Sequence, residues 1–374
     1  MPTAIIDDEG TAIYYEDSGI PPESTDYTTL ILIHGYVVHA RKYISYNIPS
    51  DASEKLKRNQ AIFRVLFPYA AAHNLRLIAI NQREYPGSSP LSEAQLALFH
   101  STDEEDQESV VVDCSRDLAH FVAWVVKHEH TPAPGKTASG KKTGGIGMWG
   151  WSAGCATLFG MLANLHSFDE ALRNTLEENV TTLVIYDPPS VVIGVADPPG
   201  TYSPATDLKT PPDQLTEAFI IWASTWFEPF SSLDAVNSTS IVTQKKLTDP
   251  SDPRHLSSFE RMSQEEKDAT LFPDIAIRLG PGLVSWEICD KNVRGTVLDT
   301  KGVLKNVRLN YFWGANSPWN CAWAAKVVEG LMQEPPVEGQ QRREVVIEML
   351  EDMHHFGHHD HPERMMRVIA DHIS

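Results

Sequence analysis

Ser152 lies in GWSAG (150–154), a hydroxyl among small neighbours, with the apolar run GIGMWG (145–150) before it and the helix-like ATLFGMLANL (156–165) after it. A serine hydroxyl is almost un-ionised at neutral pH. It attacks a carbonyl only when a base takes its proton, an acid orients the base, and donors wait for the oxyanion. A Gly-x-Ser-x-Gly pentapeptide is weak evidence by itself. Its setting gives it content, because a nucleophilic serine of this kind sits on a strained strand-to-helix turn that admits only small residues.

Candidates for the other three functions follow in useful places. LIHGYVV (32–38) ends an apolar run with His34, Gly35 and Tyr36, where a loop can aim the Tyr36 N–H at an oxyanion. The Ala153 N–H, at the start of a helix, is the second donor. VTTLVIYD (180–187) ends on Asp187, and EDMHHFGHHDHPER (351–364) supplies His354 and His355. The order along the chain is Ser, Asp, His.

The elements that must hold these residues alternate in type. Residues 3–19 read as an N-terminal hairpin around a turn. Buried strands are expected at 28–35, 75–83, 145–150, 180–187, 307–314 and 343–350. Val111, Cys114, Leu118, Phe121 and Val125 recur at three- and four-residue spacing, so 110–126 is a helix with one buried stripe. Further helices are expected at 153–166, 318–332 and 362–373, the last opening on Pro362. Strand and helix in alternation imply an α/β fold, a mostly parallel sheet with helices on both faces. TPAPGKTASGKKTGG (131–145) reads as an exposed loop.

Between about 188 and 304 the rhythm stops and prolines crowd in. There Leu215, Phe219, Trp222, Trp226 and Phe230 share one face at helical spacing, either packed into a core or roofing a ligand pocket.

The sequence resembles the α/β-hydrolase superfamily over about 28–187 and 305–373, through HGY (34–36), NQREYPGSS (81–89), GWSAG (150–154) and HHF…P (354–362). The resemblance implies a core of 1–187 and 305–374 with a mainly helical cap at 188–304. It favours His355 over His354 as the base, since a phenylalanine often follows the catalytic histidine. The family acid commonly follows the strand corresponding to 307–313, where WGANSP carries Asn316. Some members carry it one strand earlier, the position of Asp187, and Asp352 is the next candidate. Asn81 and Glu84 also depart from the family's usual Asp-x-Arg-Gly turn, in which Arg83 would bond carbonyls near the site.

The expected function is a serine hydrolase of an ester or lactone of a medium-sized apolar small molecule, working through an acyl-enzyme. Ser152, Asp187 and His355 are its catalytic residues, and Tyr36 and Ala153 form the oxyanion hole. Gly35, Trp151, Trp222, Trp226 and Phe227 are the candidate substrate contacts. Carbon–carbon bond hydrolysis, lyase chemistry or cyclisation would use the same triad, and a ligand receptor on the same frame is a further reading.

Composition excludes other classes. A 374-residue chain with 42% hydrophobic residues is long enough for a large core. Its net charge of −19 repels a phosphate backbone, so no nucleic-acid partner is expected. No apolar run reaches the length of a bilayer span, and MPTAIIDDEG lacks the pattern of a signal peptide. A cytoplasmic protein without a membrane partner is the expectation, with a homodimer left open. Cys114, Cys155, Cys289 and Cys321 show no Cys-x-x-Cys spacing and read as reduced, Cys155 as buried. The five histidines at 354, 355, 358, 359 and 361 suggest zinc, but no second ligand cluster accompanies them. No metal and no cofactor is expected.

Overall fold

The computed structural model describes residues 2–36, 62–138, 140–204, 207, 211, 214–272, 274–279 and 284–373. Its strands are β1 (Thr3–Ile5), β2 (Ala12–Asp17), β3 (Thr28–Ile33), β4 (Leu75–Ile80), β5 (Gly135–Lys136), β6 (Lys142–Thr143), β7 (Ile146–Trp151), β8 (Val180–Tyr186), β9 (Leu309–Gly314) and β10 (Val345–Leu350). Eight of them form one sheet in the order β1-β2-β4-β3-β7-β8-β9-β10. β1 and β2 are antiparallel, β2 runs antiparallel to β4, and every later neighbour is parallel. The short pair β5–β6 lies where the sequence reads as a plain loop.

Continuous apolar runs make the central strands, because each buries both faces. Alternation along them divides the core in two. Ile31, Ile33, Ile78, Met148, Ile185 and Tyr311 face helices Glu104–His128, Gly154–Asn164 and Trp319–Gln333. Leu30, Leu32, Leu77, Trp149, Trp151, Val184 and Phe312 face the C-terminal helix Pro362–Ile373 through Met365, Met366 and Ile369. The parallel register brings Ile33 beside Ile80, Trp151 beside Tyr186, and Gly314 beside Leu350. The loops that follow these strands therefore leave the sheet at one edge, the usual place for a site in such a sheet.

Between β8 and β9 the chain forms helices Leu215–Ala223, Ser238–Thr243, Ser258–Arg261, Gln264–Thr270, Asp274–Arg278 and Trp286–Val297. The last of these packs in the core's helix layer, where the Thr296 hydroxyl donates to the Phe159 carbonyl at 3.2 Å and the Asn164 amide to Asn292 Oδ1 at 3.2 Å. Among the described residues no helix is long and apolar enough to cross a membrane.

Candidate active site

Ser152 follows β7 with φ at +55°, a left-handed conformation that an L-residue adopts at a cost. Its N–H donates to the Tyr186 carbonyl at 3.0 Å, which ties the turn to the next strand. Helix Gly154–Asn164 starts hard against β3. A Cβ on Gly154 would stand 2.4 Å from the Ile33 carbonyl oxygen and 2.5 Å from that of His34. Close approach of the helix start to the HGY loop is thus bound to the absence of a side chain at 154.

His355 Nε2 lies 2.9 Å from Ser152 Oγ. On the far side of the ring, Nδ1 is 3.4 Å from Asp187 Oδ2 and 3.5 Å from Cys321 Sγ. Asp187 is wholly buried at the end of β8, with φ at +51° and its N–H donated to the Phe312 carbonyl at 3.0 Å. The Gly314 N–H donates to its Oδ1 at 2.9 Å and the Ser317 hydroxyl to its Oδ2 at 2.5 Å. The end of β9 and the turn after it, which carry no acid, therefore supply the donors that hold the acid following β8. The histidine loop is fixed by its carbonyls: Trp151 Nε1 donates to that of His355 at 2.8 Å, and the Tyr186 hydroxyl to that of His354 at 2.5 Å.

A Ser-His-Asp line at a strand-to-helix elbow, in this strand order, decides the architecture. The molecule has the α/β-hydrolase fold. No protein-family model matches the chain, and no curated protein matches it. Similar solved structures include an esterase from Exiguobacterium antarcticum, 14% identical, with 100% of this chain and 99% of that one covered at a TM-score of 0.45. A haloalkane dehalogenase from Agrobacterium tumefaciens is 11% identical, with 100% and 96% covered at 0.48. A mutant meta-cleavage product hydrolase is 12% identical, with 99% and 96% covered at 0.47. At such identities and scores it is the strand order and the elbow that carry the fold.

The neighbouring histidine, His354, points elsewhere. Its ring stacks on Trp226 with centroids 4.2 Å apart, and its Nε2 meets Asp360 Oδ2 at 3.0 Å and Ser258 Oγ at 3.3 Å. Burial holds its pKa below the ordinary histidine value. Trp226 Nε1 also donates to Asp360 Oδ2, at 3.2 Å, and Arg261 pairs with the same carboxylate. The other histidines disperse. His358 sits in a cage of aromatic rings that includes Trp151, 4.4 Å away, and His359 leans on Asp360. Among the described residues the one group of three donors with metal-like proximity is Asp187, Cys321 and His355, whose ligand atoms lie within 4.8 Å of one another. Within this group His355 also contacts Ser152, and Asp187 already accepts from Gly314 and Ser317.

The HGY loop is built onto the elbow. A Cβ on Gly35 would fall 2.9 Å from Ser152 Cβ, so the backbone passes directly over the hydroxyl. His34 is fully buried, its Nδ1–H donating to the Gly35 carbonyl at 2.8 Å and its Nε2 accepting the Gln82 N–H at 3.2 Å, and burial lowers its pKa to about 4. Gln82 also donates to the His34 carbonyl at 2.9 Å and accepts the Thr157 hydroxyl at 2.5 Å. Arg83 donates to the Pro90 carbonyl at 2.5 Å, and Glu84 takes φ at +71°.

A cavity of about 790 Å³ opens onto Ser152, with Gly35, Tyr36 and Ala153 in its wall. Of the other expected substrate contacts, Trp151, Trp222, Trp226 and Phe227 are not among the residues lining it. Trp151 is buried under the histidine loop and Trp226 under His354. Trp222 packs against Phe219 and Phe227, while the Phe227 backbone pairs with Asn316. The helix ends at Ala223, the Ser224 hydroxyl bonding back to the Ile220 carbonyl at 2.7 Å, which leaves Trp226 and Phe230 outside it; of the stripe, Leu215 and Phe219 line the cavity. The site contacts of Gln82, Ser317 and Cys321 were not readable from the sequence, since polar residues with partners far along the chain leave no local pattern.

Proposed function

We propose that the chain is a serine hydrolase that cleaves an ester or lactone of an apolar small molecule through an acyl-enzyme. One observation carries this reading: a serine hydroxyl 2.9 Å from an imidazole nitrogen, at the wall of a largely apolar 790 Å³ cavity. That distance is a hydrogen bond along which the proton can move as the hydroxyl oxygen attacks the carbonyl. His355 Nε2 takes the proton and then gives it to the leaving alkoxide. Asp187, held by Ser317 and Gly314, stabilises the imidazolium and keeps Nδ1 protonated. The oxyanion forms beneath the HGY loop, where the Tyr36 and Ala153 N–H groups are its donors. Water, deprotonated by the same imidazole, releases the acid.

The acidic balance of the chain disfavours polyanionic substrates and nucleic acid. The test is turnover of a panel of neutral carboxylic esters and lactones, with Ser152→Ala as control. Hydrolysis by the native chain that disappears in the variant supports the reading. Equal turnover by the two proteins, or none by either, contradicts it.

A further inference from the structure

The cavity at Ser152 does not only rise toward the helices between β8 and β9. It also runs along the elbow helix, whose lining residues Ala153, Ala156, Thr157 and Phe159 step away from the nucleophile. Phe159 lies five residues along the helix from its start at Gly154, about 7.5 Å at 1.5 Å per residue and farther still from Ser152. Helix Glu104–His128 faces this stretch with Cys114, Leu118 and Phe121, and helix Trp286–Val297 closes it with Cys289 and Asn292. No residue of the elbow helix beyond Phe159 lines the cavity. At Gly160 the three helices converge, a Cβ there lying 2.5 Å from Ser115 Oγ and 3.6 Å from both Asn292 Nδ2 and Val111 Cγ1.

Several polar groups along this arm are already engaged. The Ser115 hydroxyl donates to the Val111 carbonyl at 2.6 Å, Asn292 Oδ1 accepts from Asn164 at 3.2 Å, and Asp117 pairs with Arg83 at 3.2 Å. Burial pushes the Cys114 thiol up to about 12, so it lines the arm as a neutral, weakly polar group. A mainly apolar arm in which the Ser115 hydroxyl, Asn292 Oδ1 and the Asp117 carboxylate already have partners offers a charged ligand little in return for its desolvation. An apolar chain, in contrast, gains from every methylene it buries.

We propose that the substrate carries an elongated, uncharged apolar chain, which this arm holds while the scissile carbonyl lies at Ser152. The inference rests on the serine hydrolase reading and names the substrate class of that site. The chain belongs to the acid or to the alcohol part of the ester, and the experiment separates the two.

The experiment compares p-nitrophenyl esters from acetate to dodecanoate with acetates of alcohols of the same lengths. Burial of a methylene is worth about 0.8 kcal/mol, about fourfold in kcat/KM per added carbon until the arm is full. A rise of at least about tenfold from four to eight carbons is therefore expected in one of the two series. Cys114→Phe and, separately, Ala156→Phe should lower the ratio of eight-carbon to four-carbon kcat/KM, two plugs being used so that misfolding of one does not decide the matter. Rates that stay flat or fall beyond four carbons in both series, with Ser152 still labelled by a fluorophosphonate, would overturn the arm. So would a chain-length ratio unmoved in two folded plug variants. Failure of the label to attach to Ser152 would instead remove the serine hydrolase reading, and the arm's role with it.

Discussion

At the scale of single residues, the adjacent histidines separate by what their rings touch. His355 Nε2 reaches the serine, whereas His354 is stacked on Trp226 and bonded to Asp360. His355→Ala should lose at least about a hundredfold in kcat, the lower end of what general-base catalysis supplies. His354→Ala should lose less activity and more stability, as kcat and Tm of the two variants would show. Asp187→Asn should cost about 10⁴ in kcat, the loss known for the same change in a serine protease triad. Ser317→Ala should cost about tenfold, because a hydrogen bond to a charged group is worth about 1.5–3 kcal/mol. A Ser317 variant as active as the native chain would show that Gly314 alone suffices to orient Asp187. That Ser152, Asp187 and His355 come together was legible in the sequence because each ends a strand or follows one in a short, recognisable segment. Ser317 was not, since its partner lies 130 residues away.

At the scale of elements, the site depends on two close contacts. The first is the start of the elbow helix against β3. Gly154→Ala puts a methyl against two carbonyl oxygens, and overpacking of this kind costs about 1–3 kcal/mol, to be read from denaturant unfolding together with a fall in kcat as the HGY loop is displaced. The second joins the region between β8 and β9 to the histidine loop, where Trp226, Ser258 and Arg261 meet His354 through Asp360. Asp360→Ala leaves these donors without their acceptor and should cost about 2 kcal/mol, less than a fully buried pair because Arg261 is partly exposed. Strand positions and the long helices were legible from apolar runs and periodicity. The use of the Trp222 and Trp226 stripe was not, because a helical spacing of apolar residues is the same whether the face meets a pocket or a core. The wall supplied by helix Glu104–His128 was hidden for the same reason, its Cys114, Leu118 and Phe121 reading simply as a buried stripe.

At the scale of the whole molecule, buried neutral histidines set the acid limit of stability. His34, His354 and His358 all have pKa values lowered by burial, that of His34 to about 4. The unfolded chain takes up these protons near pH 6.5, while the folded protein refuses them until lower pH. Stability is therefore complete above about pH 6.5 and falls as pH drops toward 4, by about 3 kcal/mol from His34 alone. Thermal unfolding between pH 7.5 and 4.5 should show a falling Tm, and a Tm that rises toward pH 4.5 would contradict this account of the histidines. The central claim, that this fold exists to activate one serine, is tested most directly by intact and peptide mass spectrometry after treatment with a fluorophosphonate. The account predicts one adduct per chain, on the peptide carrying Ser152 and absent from Ser152→Ala. No adduct on the folded native chain, or a stoichiometric adduct on another serine, would contradict it.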